Sequence, residues 1–202
     1  MDNLKTLVMY ADIPEGDMSS SLYPPERDDE VRACKSERVK QEKYYVWKLL
    51  GLAVKEWLNL EIDNFKFTKT DNGKWICPDF CFSLSHTDGA VCVAVSRYPV
   101  GVDIERAREI RQAMYSRVLT ECEMEHIDSL ADDEKNAFFL DAWVKKESLF
   151  KRDGGECLNP RKNETLGADA VTHRVTISGS DYLIGLSSVD NENYEIRYME
   201  DI

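Results

Sequence analysis

Three short segments of the sequence carry residue types that can bind phosphate or a hard metal ion. The first runs from Val100 to Glu105 and reads Val-Gly-Val-Asp-Ile-Glu. Side chains alternate across a β-strand, so Asp103 and Glu105 share one face and lie about 7 Å apart along it. Two carboxylates at this spacing can ligate one hard cation. On this segment alone, a metal site and an ordinary solvent-facing pair of acids are equally good interpretations.

The second segment has helical spacing and reads Trp-Val-Lys-Lys-Glu-Ser-Leu-Phe-Lys from Trp143 to Lys151. Steps of three and four residues place Lys146 and Glu147 on the same side of the helix as Trp143. Lys151 lies one turn beyond Glu147 on that side. Glu147 can supply a third oxygen ligand to a metal, and Lys151 can meet an anion bound to it. Taken alone, this pattern is more typical of an exposed helix face.

The third segment reads Phe-Ser-Leu-Ser-His-Thr over residues 82–87, where a predicted strand runs into a turn. Ser85 and His86 bring a hydroxyl beside an imidazole. A serine hydrolase would also need a nucleophile elbow or an acidic third member, and the sequence contains no Gly-x-Ser-x-Gly. Taken alone, the segment is more typical of a histidine that caps a turn.

Together these segments resemble the motifs of the 4′-phosphopantetheinyl transferases of the larger, surfactin-synthetase-activating (Sfp-like) type. That family is marked by a Gly-[Ile/Val]-Asp-[Ile/Val]-Glu strand and a Trp-x-x-Lys-Glu-[Ser/Ala]-x-x-Lys helix. Upstream it carries a Ser-His segment and a Gly-Lys-Pro-like turn, which here reads Gly73-Lys74-Trp75 without the proline. The resemblance covers about residues 30–190. It implies transfer of the 4′-phosphopantetheine arm of coenzyme A to a serine of an apo acyl or peptidyl carrier protein, with release of 3′,5′-ADP.

The resemblance also implies a role for each matching position. Asp103, Glu105 and Glu147 are expected to ligate Mg²⁺. The residues expected to contact coenzyme A are Lys74, Ser85, His86, Lys146, Lys151, Arg38 and Lys43. The catalytic candidates are Glu147, Lys151 and Glu123, the last of which follows Val118 and Leu119 where the family has two aromatic residues. The general base is left open between Glu147, Glu123 acting through a water, and a metal-bound water.

Strand-like and helix-like stretches alternate along the chain in an order that repeats. Apolar residues from Val46 to Leu58 recur with helical spacing, which predicts a helix with one buried stripe in the region after Asp28. Strands are predicted at 4–11, 65–70, 81–85, 90–98, 100–104, 170–177, 182–187 and 194–199, and further helices at about 106–117, 121–130 and 132–152. This order predicts an α+β fold of two similar halves, 1–98 and 99–202, with the active site in the cleft between them.

Composition narrows the class further. The 202 residues carry a net charge of −12, which argues against non-specific nucleic-acid binding. No stretch approaches the roughly 20 apolar residues that span a bilayer. The six cysteines are scattered and form no Cys-x-x-Cys pair, which favours reduced thiols and a cytoplasmic protein. The chain length fits the larger type of the family, whose members resemble single-chain monomers.

Two basic islands interrupt the acidic chain, at residues 32–48 and 106–117. Either island taken alone suits a solvated helix face as well as a binding surface. The resemblance implies a carrier that presents an acidic helix beside its serine. On that basis a docking surface is expected on the second island, formed by Arg106, Arg108, Arg111 and Arg117.

Two other functions fit the same residues. A metal-dependent hydrolase of nucleotides or phosphodiesters would use the carboxylates with water as the nucleophile. A catalytically inactive coenzyme A- or carrier-binding module would keep the fold without turnover. Retention of Asp103, Glu105 and Glu147 argues against the inactive module.

Overall fold

The computed structural model describes residues 5–16, 18–71, 73–154, 157–189, 193–200 and 202. The strands are β1 (Thr6–Asp12), β2 (Thr68–Lys69), β3 (Trp75–Ile76), β4 (Cys81–Thr87), β5 (Ala90–Ser96), β6 (Val100–Arg106), β7 (Val171–Ile177), β8 (Ser180–Ser188) and β9 (Tyr194–Tyr198). The α-helices are α1 (Pro25–Arg32), α2 (Glu37–Leu58), α3 (Tyr115–Val118), α4 (Glu121–Ser129) and α5 (Asp132–Asp153). Short 3₁₀ turns lie at Ile62–Asn64, Gln112–Met114 and Pro160–Lys162.

The first sheet has the strand order β4-β5-β1-β9 and is buried on both faces. On one face the odd-numbered valines of β5, such as Val93, pack with Trp47 of α2. On the other face Cys92 and Ala94 pack against the second sheet. Burial on both sides explains why β5 reads as an unbroken apolar run, Ala-Val-Cys-Val-Ala-Val.

The second sheet has the order β6-β8-β7 and is antiparallel throughout. Val102 and Ile104 of β6 face the first sheet, while Leu183 of β8 faces α5. The layers therefore follow the order α2, first sheet, second sheet and α5. Each long helix covers one outer sheet face with its apolar residues, as layered α+β folds require.

Two glycines allow α5 to lie directly against the second sheet. A Cβ added to Gly101 of β6 would overlap the carbonyl oxygen of Ser148, and one added to Gly185 of β8 would overlap the carbonyl of Val144. Any side chain at either position would push the helix away from the strands. The distance between α5 and β6 is thus set by the backbone itself.

The α+β class predicted from the sequence is confirmed, and most predicted elements are found within one or two residues of their expected bounds. The predicted helix at 106–117 is wrong. β6 continues to Arg106, and only the turn Gln112–Met114 and the single helical turn α3 follow it. In place of the predicted strand at 65–70, the structure has only the two-residue β2. Leu4, in the first predicted strand, lies outside the described residues.

The last strand of the chain joins the first sheet and not the second. β9 pairs in parallel with β1, from Thr6 opposite Tyr194 to Tyr10 opposite Tyr198. β9 belongs to the C-terminal half of the sequence but pairs with a strand of the N-terminal half. The division into two halves, 1–98 and 99–202, stays a prediction.

Among the helices that the structure describes, none combines the length and the apolar composition of a membrane span. All six cysteines lie within that part, and each is a free thiol.

The close approach at Gly101 can be tested by substitution. We expect Gly101→Ala to lower the free energy of unfolding by at least about 1–3 kcal/mol, because the new methyl group overlaps the backbone of α5. Gly51→Ala is the matched control, since its Cβ would meet Ile62 at an ordinary 3.7 Å. In the middle of α2 this change should stabilise by up to about 1 kcal/mol. Urea unfolding of both variants measures the contrast, and equal effects would contradict the packing argument.

Candidate active site

The site is built where the edges of the two sheets meet, at β4 and β6. β6 is an edge strand, and its outward N–H groups have no strand partner in the described residues. Serine hydroxyls of β4 take that place: Val102 N donates to Ser83 Oγ at 3.0 Å, and Ile104 N donates to Ser85 Oγ at 3.2 Å. These bonds satisfy buried donors that would otherwise be costly. They also fix the position of Ser85 beside the acidic face of β6.

Asp103, Ser85 and Lys151 form a polar cluster at this edge, in which Asp103 and Ser85 are buried and Lys151 is partly exposed. Ser85 Oγ donates to Asp103 Oδ1 at 2.7 Å, and Lys151 Nζ lies 2.7 Å from the same oxygen. Lys151 Nζ also donates to Ser85 Oγ at 3.0 Å and to the carbonyl of Val102 at 3.2 Å. The other oxygen, Asp103 Oδ2, is buried and has no hydrogen-bond partner among the described residues. A buried carboxylate oxygen left open in this way is an acceptor available to a ligand.

Glu105 and Glu147 complete the acidic face. Trp143 Nε1 donates to Glu105 Oε1 at 3.1 Å, and Arg108 lies 3.5 Å from the other oxygen. Burial, and then the charge of Asp103, raise the pKa of Glu105. The same two causes raise the pKa of Glu147, with Lys151 acting in the opposite direction. The three carboxylates therefore repel one another electrostatically. As a result, both glutamates bind a proton more tightly than an ordinary glutamate does.

These donors fit a hard divalent cation. In the described part of the chain, no group of three or more His, Cys, Asp or Glu side chains is already arranged as a metal site. Three carboxylates that repel one another, with the open oxygen Asp103 Oδ2, are nevertheless the oxygen donor set that Mg²⁺ prefers. A cation bound to them would relieve the repulsion that raises the pKa of Glu105 and Glu147.

Several residues expected to contact coenzyme A converge on this cluster. Lys74 Nζ donates to the main-chain carbonyl of Lys151 at 2.9 Å, which brings the Gly-Lys-Trp turn to the end of α5. Burial lowers the pKa of Lys74. His86 follows Ser85 directly, and burial is also the main cause that lowers the pKa of its imidazole.

The basic helix α2 reaches the same place through Glu42. This buried carboxylate lies 3.2 Å from His86 Nδ1 and 3.5 Å from Arg38 Nη1. Lys43, also on α2, lies 3.6 Å from Glu30. Arg38 is the more accessible of the two basic residues, with 66% of its side chain exposed. Glu42 thus connects the first basic island to the Ser-His segment.

Lys146 and Glu123 form a buried ion pair. Lys146 Nζ lies 2.7 Å from Glu123 Oε2, and neither side chain is exposed. The ammonium also donates to the carbonyls of Pro160, at 2.9 Å, and Asn163. Its three hydrogens are therefore all used inside the protein.

Both carboxylate oxygens of Glu123 also accept hydrogen bonds within the protein. Its Oε1 accepts from the amide and the hydroxyl of Thr165 at 2.9 and 2.6 Å, and its Oε2 also accepts from Thr120 N at 2.9 Å. Burial acts to raise the pKa of Glu123, but the hydrogen bonds from Lys146 and Thr165 outweigh it and lower that pKa. Both side chains are thus buried and bonded within the protein. The catalytic role expected for Glu123 and the cofactor contact expected for Lys146 stay predictions.

Sequence reasoning missed Ser83, Glu42 and Thr165. Alternation along β4 places Ser83 on the same face as Ser85, so a period-two pattern was available. A local signal also exists for the position of Glu123, the partner of Thr165. Thr120 and Glu123 form a capping box at the start of α4, which their Thr-x-x-Glu spacing predicts. The contacts of Glu42 and Thr165 join residues far apart in the chain and have no local signal.

Comparison with known families agrees with this geometry. A family model described as the 4′-phosphopantetheinyl transferase superfamily matches residues 99–196, a span that contains both β6 and α5. The resemblance drawn from the motifs is confirmed, since the matching family model and the most similar relatives all carry this description.

Individual relatives fall within the Sfp-like group. The chain is 36% identical over 98 residues to 4′-phosphopantetheinyl transferase gsp of Aneurinibacillus migulanus, covering 48% of this chain and 41% of that protein. It is 30% identical over 109 residues to the enzyme ffp of Bacillus subtilis, covering 52% and 49%. The match to Sfp of Bacillus subtilis strain 168 is 24% identical over 158 residues, covering 75% and 70%. The chain thus spans about half or less of the length of the first two relatives.

The buried ion pair gives a second stability test. We expect Lys146→Met to lower the free energy of unfolding by about 3–5 kcal/mol, because Glu123 stays buried without its counter-charge. Lys145→Met is the control on the same helix. It removes a partly exposed pair with Asp141, which should be worth no more than about 1 kcal/mol. Urea unfolding at neutral pH separates the two, and a Lys146→Met protein as stable as the control would contradict the assignment.

Proposed function

We propose that the protein transfers the 4′-phosphopantetheine arm of coenzyme A to a serine of an apo acyl or peptidyl carrier protein, with release of 3′,5′-ADP. The observation that carries the proposal is the meeting of the three motifs at one edge. Lys151 Nζ of α5 lies within hydrogen-bonding distance of Ser85 on β4 and Asp103 on β6. Carboxylates that can bind a cation and a positively charged side chain that can bind phosphate therefore occupy one site, as transfer from a pyrophosphate requires.

The acidic residues would hold Mg²⁺, with Asp103, Glu105 and Glu147 as its protein ligands. When bound, this ion neutralises charge on the pyrophosphate of coenzyme A and so favours attack by an incoming oxygen. The open oxygen Asp103 Oδ2 and the mutual repulsion of the carboxylates support this assignment.

The basic residues around the acids would bind the substrate. Lys151, Ser85 and His86 would contact the pyrophosphate, and Lys74 would contact the same molecule nearby. The Lys74 ammonium already donates to the main-chain carbonyl of Lys151 at the end of α5, which supports contact of both lysines with the same ligand. Arg38 and Lys43 on α2 would meet the adenosine 3′-phosphate, and the contact from Arg38 through Glu42 to His86 supports that direction for the bound coenzyme A.

In the reaction, the hydroxyl oxygen of the carrier serine attacks the β-phosphorus of coenzyme A. A new P–O bond forms, and the bond from that phosphorus to the bridging oxygen breaks, which frees 3′,5′-ADP. Lys151 would stabilise the charge that develops on the leaving phosphate. The serine proton needs a base, and Glu147 is our candidate because Glu123 is fully buried and fully bonded.

We also propose a cytoplasmic monomer. Six free thiols support a reducing compartment. The inactive binding module gains no support, since Asp103, Glu105 and Glu147 are all retained. The relatives matched are also all described as transferases.

The proposed activity can be measured by intact-protein mass spectrometry of a panel of apo carrier proteins incubated with coenzyme A. We expect a mass gain of one phosphopantetheine arm with Mg²⁺ and none with EDTA. Asp103→Ala should slow the transfer by at least about 100-fold and leave the fold intact by circular dichroism. Asp63→Ala, at an exposed acid of the first 3₁₀ turn, is the control and should keep full activity. An unchanged rate in Asp103→Ala would defeat the metal assignment.

The raised pKa values predict a pH-dependent stability. The folded protein binds the Glu147 proton more tightly than the unfolded chain does, so metal-free stability is lost as pH rises through the raised pKa. We therefore expect Glu147→Gln to raise the melting temperature of the metal-free protein more at pH 7 than at pH 4.5. Mg²⁺ should stabilise the parent protein at pH 7 and the variant much less. Glu125→Gln, at an exposed position on α4, should change neither quantity. A Glu147→Gln variant that Mg²⁺ stabilises as strongly as the parent would contradict the prediction.

A further inference from the structure

A carboxylate lies buried among the basic residues that are expected to bind the phosphates of coenzyme A. Glu42 of α2 is only 4% exposed, and its Oε2 lies 3.2 Å from Nδ1 of His86 on β4. Its Oε1 lies 3.5 Å from Nη1 of Arg38, one turn earlier on the same helix. A negative charge at this place repels a bound phosphate. Any benefit of Glu42 to phosphate binding must therefore come through the residues that it contacts.

The contact with Glu42 determines which nitrogen of His86 carries a proton. An ionised carboxylate only accepts hydrogen bonds, so the proton of the neutral imidazole lies on Nδ1, the nitrogen that faces Glu42. The other nitrogen, Nε2, then holds a lone pair, which repels the oxygen of a phosphate. In this tautomer His86 becomes a donor to phosphate only when Nε2 takes up a second proton.

The charges around His86 oppose that second proton in the free protein. Burial is the main cause that lowers the pKa of His86, and the charge of Glu42 is the next cause, acting to raise it. The cations Lys151 of α5, Lys43 of α2 and Arg27 of α1 act to lower it. A bound phosphate compensates these cations and attracts a positive imidazole, so the balance of charge at His86 reverses when the ligand arrives.

We propose that Glu42 is a positioning residue for coenzyme A, which holds the proton of His86 on Nδ1 so that coenzyme A binds together with one further proton, taken up at Nε2. This inference rests on the proposed function and deepens it, since it makes the binding of the first substrate depend on pH. In the complex the imidazolium lies between two anions, the carboxylate of Glu42 and the bound phosphate. The buried carboxylate thus stabilises the form of His86 that donates to the ligand.

The direction of the pH dependence follows from linkage between the two binding events. The complex holds the His86 proton more tightly than the free protein does, so affinity for coenzyme A is complete below the pKa of the free imidazole. Affinity falls as the pH rises through the higher pKa of the complex, by up to about tenfold per pH unit. Removal of a carboxylate that only repelled the phosphate would instead tighten binding equally at every pH.

The test measures binding of coenzyme A by calorimetry in saturating Mg²⁺, from about pH 7 to 8.5 and in buffers of different ionisation enthalpy. The 3′-phosphate, with a second pKa of about 6, is almost fully ionised over this range. For the parent protein we expect uptake of about half a proton or more per ligand at neutral pH, and a Kd that rises with pH. In Glu42→Gln the new amide nitrogen can donate to Nδ1, which leaves the neutral ring with its proton on Nε2. This variant should take up almost no proton, and its Kd should stay constant with pH.

Glu37→Gln is the matched control, since it removes the same charge from the same helix at a side chain that is 68% exposed. It should keep the proton uptake and the pH dependence of the parent protein. His86→Asn removes the titrating group and should lose both, which keeps the test decisive if Glu42→Gln does not fold. A parent Kd that does not change with pH would overturn the proposal. Proton uptake that persists in Glu42→Gln or in His86→Asn would do so as well.

The same titrations separate this inference from the proposed function, because they need neither a carrier protein nor transfer. Transfer by a protein that binds coenzyme A without proton uptake would overturn this inference alone. Binding with proton uptake, but without transfer to any apo carrier protein, would overturn the proposed function alone. A parent protein that does not bind coenzyme A would overturn both.

Discussion

The contact between the backbone of α5 and the backbone of the second sheet is the constraint on which the site depends. Gly101 and Gly185 remove the side chains that would separate them. At this short distance Lys151 reaches across to Asp103, and Trp143 reaches Glu105. A helix held farther out by side chains would leave these groups out of hydrogen-bonding range. The glycine of the β6 motif is therefore as necessary to the site as the two acids that follow it.

The same packing brings like charges together. Asp103 and Glu105 lie on β6 and Glu147 lies on α5, and the apolar residues Leu140 and Val144 of α5 pack on Leu183 of β8 in the same sheet. The mutual repulsion of the three acids destabilises the folded protein, and the packing of the core offsets this effect. The negative charge of these three carboxylates is not fully compensated within the protein, and such a site favours a bound cation. By contrast, Lys146 and Glu123 on the neighbouring side of α5 are complete in charge and hydrogen bonding. Helix α5 thus contributes to one polar cluster with uncompensated negative charge and to a second cluster whose charges and hydrogen bonds are all paired.

Much of this could be predicted from the sequence, because local patterns determine it. The α+β class and both long helices follow from periodicity, and the resemblance of the three motifs to a known family singles out the residues that meet at Lys151. The helix predicted at 106–117 failed because its charged residues show no apolar stripe that would bury it. The roles of Lys146 and Glu123 could not be predicted from their types, since a lysine beside a site and a lysine inside the core look alike in sequence. Their burial depends on Thr165 and on the carbonyls of Pro160 and Asn163, which no local sequence pattern predicts.

The parallel pairing of β9 with β1 affects the order in which the molecule can fold. β1 lies inside the first sheet only because residues 194–198 pair with its outer edge. As the chain is synthesised, that edge stays open until residues 194–198 have left the ribosome. The N-terminal sheet therefore cannot finish ahead of the C-terminal one, and the slow closure of this long-range ladder ties both sheets into one late cooperative step.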